Sequence, residues 1–87
     1  MQKSWTEDAW NEFIYWTKQD KKILKRILTL LNDIDRNQYQ GIGKPERLKG
    51  SLSEYWSRRI DDKNRIVYKI ENDTIKIIQC GSHYGDK

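Results

Sequence analysis

The sequence predicts an α+β fold in which two N-terminal helices pack on a small, twisted, mainly antiparallel sheet. Three observations predict it. Apolar residues recur at helical spacing from Trp10 to Ile34, the period changes to alternation after Tyr55, and Gly41, Gly43, Pro45 and Gly50 punctuate the stretch between. A chain of 87 residues can bury one modest core and not two, so residues 1–87 are expected to form one domain with no room for a separate cofactor domain.

Each element has its own signals. The opening "QKSW" reads as a short edge strand. Thr6 is placed to cap a first helix, with Glu7 and Asp8 in the first turn where the helix dipole favours negative charge. Trp10, Phe13 and Ile14, with Tyr15 or Trp16, form its apolar stripe. Asp20 caps a longer second helix, whose broad apolar face comprises Ile23, Leu24, Ile27, Leu28, Leu30, Leu31 and Ile34. The two helices are expected to form a hairpin. "NQYQGIGKPERLKGSLSE" follows as a long loop, and long ordered loops are often functional. "EYWSRRI", "NRIVYKIE" and "TIKIIQC" then read as an antiparallel meander joined by the turns "DDK" and "END", with Asp61 and Asp62 as turn formers. If Trp56 and Ile60 share the core face with Ile66, Tyr68 and Ile70, Arg59 and Arg65 stand together on the other face. The last strand is apolar on both faces, Ile75 and Ile77 on one and Ile78 and Cys80 on the other, as a central strand should be.

Composition bounds the function. Seventeen Lys and Arg against 13 Asp and Glu give a net charge of +4, which draws a protein toward polyanions, nucleic acid first, although such a charge also serves solubility alone. Four Trp, five Tyr and one Phe either fill the core or offer faces on which bases stack, and core filling is the expected use of most. One cysteine forms no intrachain disulfide, and Cys80 reads as a small buried hydrophobe. With no signal segment and no long apolar run, the chain is expected to be cytoplasmic and not membrane-bound. One His, one Cys and no spaced carboxylate set do not make a zinc or two-metal centre, and no phosphate-binding or dinucleotide fingerprint is present, so no cofactor is expected.

What remains is a constellation: Glu46 in the punctuated loop beside Lys44 and Lys49, Arg59 and Arg65 on one sheet face, and His83 just past the last strand. Alone, each has an ordinary meaning as a loop charge, a surface strand residue or a frayed end. Together they are the groups needed to cleave RNA without metal. A carboxylate takes the ribose 2′-hydroxyl proton, cations stabilise the phosphorane, and an imidazolium protonates the departing 5′-oxygen. Histidine, with an ordinary pKa of about 6.5, suits the last task near neutrality. Lys18, Lys21, Lys22, Lys25 and Arg26 line the outer face of the helix pair, where they read as a solvated face or as contacts to RNA phosphate.

"GKPERLKG", "WSRRIDDKNRIVY", the terminal "HY" and the spacing of Trp5, Trp10, Tyr15 and Trp16 carry a resemblance. From about Trp5 to Tyr84 the chain resembles the YoeB and Txe toxins of bacterial type II toxin–antitoxin systems, within the RelE/ParE superfamily. The resemblance implies a RelE-like, microbial-ribonuclease-like fold and a ribosome-dependent messenger RNA endonuclease. Carried across by position, it implies Glu46 as general base, His83 as general acid and Arg65 as the group stabilising the phosphorane. Lys49 and Arg59 would hold phosphate and Tyr84 would orient the nucleotide. It gives the helix face, Lys18, Lys22, Lys25 and Arg26, a role against ribosomal RNA.

The implied partners are an acidic, partly flexible antitoxin, the ribosome with its messenger RNA, and a second copy of the chain in a homodimer. Operator DNA is engaged only through the antitoxin complex. Departures carry expectations too: Arg47 stands where proline is common, which loosens the loop or adds a phosphate contact, and Gly81 and Ser82 replace bulkier residues, which loosens the tail. "GDK" follows Tyr84, which removes any role for a terminal carboxylate there. The competing function is a non-catalytic RNA- or ribosome-binding module, or a co-regulator acting with an antitoxin.

Overall fold

A computed structural model describes residues 1–82. Strand β1 (Gln2–Trp5) leads into α1 (Glu7–Gln19) and α2 (Lys21–Asn37), followed by β2 (Glu46–Arg47), a 3-10 turn at Gly50–Leu52, β3 (Trp56–Arg59), β4 (Arg65–Glu71) and β5 (Thr74–Gly81). The strands form one sheet in the order β1-β5-β4-β3-β2, antiparallel except where β1 runs parallel to β5. Both helices cover one face of it, giving the expected α+β architecture.

Local chemistry sets the boundaries. Thr6 accepts the Ala9 N–H at 3.1 Å and starts α1. Asp20 ends α1 and starts α2, its carboxylate taking the Lys22 and Ile23 N–H groups at 3.0 and 3.1 Å, so a single residue turns the hairpin. Asn72 and Asp73 both adopt positive φ between β4 and β5, the two-residue hairpin geometry that matches strand twist. Asp61 folds the β3–β4 turn by accepting from the Lys63 and Asn64 N–H groups at 2.8 and 2.7 Å. Its burial opposes ionisation, but these bonds prevail and hold its pKa below the ordinary carboxylate value.

The core lies between the helices and the sheet. Ala9, Ile27, Leu30, Leu31 and Ile34 meet Ile60, Ile66, Tyr68, Ile75, Ile77 and Cys80, with Trp5, Phe13, Trp16 and Trp56 packed around them. Leu28, expected in the core, is exposed, as are Trp10 and Tyr15. The last strand also departs from expectation. A bulge breaks its alternation, so Ile77 faces Tyr68 and Gln79 faces Val67, and Ile75, Ile77 and Cys80 all reach the core while Ile78 is the extra residue. Burial pushes the Cys80 thiol up to about 12, which makes it the inert hydrophobe that the sequence suggested. None of the described helices is long and apolar enough to cross a membrane.

Candidate active site

The side of the sheet away from the helices gathers the charged residues. Glu46 pairs with Ser57, Ser57 with Val67, and Val67 with Gln79, forming one cross-strand row. One step along on the same face, Arg59 pairs with Arg65 and Arg65 with Gly81. With strands about 4.8 Å apart and a two-residue step of about 6.8 Å, Glu46 and Arg65 are separated by roughly 12 Å between Cα atoms, and their long side chains can meet over one group. Ser57, Val67 and Gln79, in the row that starts at Glu46, are buried.

Placing two arginines directly opposite one another is unfavourable in a bare sheet. Neither takes part in an ion pair among the described residues, and nor does Glu46 or Lys49. Among the described residues, the Arg65 side chain reaches only the Asp61 carbonyl, at 3.4 Å. Two guanidiniums side by side, without an ion-pair partner among the described residues, suit a bound phosphate, which accepts from both.

Glu46 was expected in a loop and instead lies on β2, a two-residue strand paired to β3. What fixes the segment ahead of it is Arg58, a residue that sequence reasoning missed. Its side chain is fully buried and every N–H has a partner. Nε donates to the Tyr68 hydroxyl at 3.2 Å, Nη1 to Asp33 and to the Ile42 carbonyl at 3.1 Å, and Nη2 to the Gln38 and Gln40 carbonyls at 2.9 and 2.5 Å. Asp33 in turn takes the Ile42 N–H at 3.0 Å. The hydrogen bond from Arg58 holds the Asp33 carboxyl below its ordinary pKa, against some burial. The signal for Arg58 was available: of two adjacent arginines in a strand, one must share the face of Trp56 and Ile60.

Arg47 does the opposite of loosening this segment. Its Nε donates to the Ser53 carbonyl at 2.7 Å and the Leu48 N–H bonds the Tyr55 carbonyl at 2.9 Å, closing the turn that carries Lys49.

The end of β5 is equally restrained, while the tail that Gly81 and Ser82 were expected to loosen lies outside the described residues. Glu12 of α1 accepts the Cys80 N–H at 2.9 Å, Trp16 Nε1 donates to the Cys80 carbonyl at 2.8 Å, and Gln79 Nε2 donates to the Gly81 carbonyl at 2.6 Å. Gly81 is buried, and a Cβ on it would stand 2.6 Å from Glu12 Oε2, so no larger residue fits there unless Glu12 moves. A cleft of about 520 Å³, lined by Asp8, Glu12, Tyr15, Trp16, Gly81 and Ser82, borders this end.

Thus Glu46, Arg59 and Arg65 come together on one face, with Lys49 beyond β2 at the start of the 3-10 turn. His83 and Tyr84 lie outside the described residues. Lys18, Lys21, Lys22 and Lys25 are exposed at the helix hairpin, and Arg26 is half-buried there. That group belongs to the helix layer and not to the sheet face.

Comparison with known proteins places this geometry. Residues 5–84 match the model of the YoeB-like toxin of bacterial type II toxin–antitoxin systems. Toxin YoeB of Streptomyces coelicolor is 48% identical over 84 residues, covering 97% of this chain and 100% of that protein. Staphylococcus aureus YoeB, in the heterotetrameric YoeB–YefM toxin–antitoxin complex, superposes with a TM-score of 0.91 at 42% identity, over 97% of this chain and 98% of that one. The S. aureus YoeB dimer gives a TM-score of 0.90 at 42% identity and the same coverage. The two helices and mixed sheet seen here are their fold, and the chain belongs to the YoeB family of toxins of bacterial type II toxin–antitoxin systems.

Proposed function

We propose that this toxin is a ribosome-dependent endoribonuclease that cleaves messenger RNA in the ribosomal A site, in the cytoplasm, and so inhibits translation. Glu46 removes the proton from the ribose 2′-hydroxyl, whose oxygen attacks the adjacent phosphorus. Arg65 stabilises the phosphorane, with Arg59 and Lys49 on its other oxygens. His83 gives its proton to the 5′-oxygen as the phosphorus–oxygen bond breaks, and Tyr84 orients the nucleotide. The products are a 2′,3′-cyclic phosphate, or the 3′-phosphate formed from it, and a 5′-hydroxyl. Proton transfers balance between one acid and one base, so the step needs no metal.

The observation that carries this reading is the arrangement of Glu46, Arg59 and Arg65 on the helix-free face of the sheet, without ion-pair partners among the described residues. Arg65 also pairs with Gly81, two residues before His83 in the sequence. As partners we propose an acidic, partly flexible antitoxin, which the charge of +4 favours and the YefM complex of the S. aureus relative supports. Operator DNA would be met only through that complex, and a homodimer is suggested by the S. aureus one.

The test is to incubate the protein with end-labelled messenger RNA, with and without translating ribosomes, and determine the position and ends of the product. A ribosome-dependent cut in the A site, ending in a cyclic or 3′-phosphate, supports the proposal. Glu46→Gln, Arg65→Ala and His83→Gln should each slow it by about 10² to 10⁴. Ribosome binding without a cut would instead favour the non-catalytic binding module.

A further inference from the structure

We propose that Glu12 and Trp16 are positioning residues for the cleavage step, acting through the Cys80 peptide to fix where the chain leaves the sheet toward His83. This rests on the acid role proposed for His83. β1 ends at Trp5, opposite Ile77, so beyond that point this edge of β5 has no neighbouring strand. The N-cap Thr6 and side chains along α1 take over. Thr6 donates its N–H to the Ile77 carbonyl at 3.0 Å and its hydroxyl to the Ile78 carbonyl at 3.5 Å. Glu12 and Trp16, one turn apart on α1, then satisfy the N–H and the carbonyl of Cys80 at 2.9 and 2.8 Å. One acceptor and one donor supply what the backbone of another strand would have supplied.

Strand ends at a sheet margin ordinarily fray. Here the two residues before Ser82 carry three side-chain hydrogen bonds, from Glu12, Trp16 and Gln79. Gly81 lets the Glu12 carboxylate approach, since a Cβ would stand 2.6 Å from Oε2. His83 follows Gly81 by two residues, at most about 7 Å of chain, so the exit set at Cys80 and Gly81 bounds where it can stand. Misplacing a reacting group by about 1 Å can slow a reaction about 10²-fold.

The experiment measures single-turnover cleavage on saturating programmed ribosomes, with ribosome affinity and thermal unfolding beside it. Glu12→Ala should slow cleavage about 10- to 100-fold with affinity unchanged. Glu12→Gln, which keeps an oxygen to accept the Cys80 N–H, should restore most of the rate. Trp16→Phe, which removes the donor and part of the ring, should slow it about 10-fold and stands in if Glu12→Ala does not fold. In a His83→Gln background, Glu12→Ala or Trp16→Phe should add less than about twofold, because a positioning residue has nothing left to position. A fully additive loss there, or full activity in folded Glu12→Ala, overturns the inference while leaving His83 as the acid. Full activity in His83→Gln overturns the acid assignment and this inference with it.

Discussion

Arg58 illustrates what a charge requires to leave water: five N–H donors and five acceptors, one of them the Asp33 carboxylate. Removing it would take the charged partner from Asp33 and a donor from three backbone carbonyls at once, of which Gln38 keeps the Tyr68 hydroxyl. Both Arg58→Met and Arg58→Lys should therefore lower the unfolding free energy by about 3–5 kcal/mol, since a lysine reproduces neither the fork nor its donors. Urea denaturation checks this, and wild-type stability in either variant would mean that the surrounding loop repacks. Asp33 makes the same cluster pH-sensitive. Its folded pKa is lowered, so its contribution is fully present above the unfolded value of about 3.9 and is lost as pH falls through the lower folded value. The stability difference between wild type and Asp33→Asn should be constant above about pH 5 and shrink below about pH 4.

Among the elements, the segment from Gln38 to Glu54 does the most with the least regular structure. It holds only a two-residue strand and a 3-10 turn, yet its carbonyls bind Arg58 and its Gly43 carbonyl takes the Arg59 N–H at 2.7 Å. Gly43 has a φ of +80, and a Cβ there would stand 2.8 Å from Leu30 Cδ2 and 3.3 Å from the Arg59 carbonyl. Gly43→Ala should cost more than about 1 kcal/mol and also slow cleavage, because the same crossing sets Arg59 and leads to Glu46. Gly50→Ala is the control: it too has positive φ, but its Cβ meets nothing, so it should be milder on both counts. A Gly43→Ala variant as stable and active as Gly50→Ala would show that the crossing carries no strain to the site. This segment was also the least legible in the sequence. Helix boundaries were readable because Thr6 and Asp20 cap locally, and the hairpins because turn residues act within a few positions. The pairing of β1 with β5 joins opposite ends of the chain, Gln2 to Thr74 and Trp5 to Ile77, and the bulge at Ile78 shifts a register without changing composition. Arg58 obeyed an alternation that the sequence displayed, but its charge disguised it as surface. At the candidate site, Arg59 and Arg65 were legible from residue type and parity and Glu46 only as a loop carboxylate, whereas Glu12 gave no local signal because its partner is the distant Cys80 peptide.

At the scale of the molecule, charge is arranged in two layers. The proposed chemistry occupies the helix-free face of the sheet, while Lys18, Lys21, Lys22 and Lys25 stand exposed on the helix hairpin that covers the other face, outside any ion pair among the described residues. Across a body with extents of 30 × 29 × 23 Å, one group cannot do the other's work. Binding the ribosome and cutting the message should therefore separate by mutation. Replacing Lys21, Lys22 and Lys25 together with alanine should weaken ribosome affinity and flatten its dependence on salt, by a slope of about 0.7 to 0.9 for each phosphate that is no longer neutralised. The rate at saturating ribosomes should stay within about twofold of wild type, since no reacting group has moved. Glu46→Gln should do the reverse, slowing the cut by about 10² to 10⁴ and leaving both affinity and salt slope intact. If the triple variant kept its affinity and slope, the hairpin lysines would be a solvated face and the charge that matters would lie with Arg59, Arg65 and Lys49. In that case Arg59→Ala would flatten the salt dependence, and docking and catalysis would share one surface.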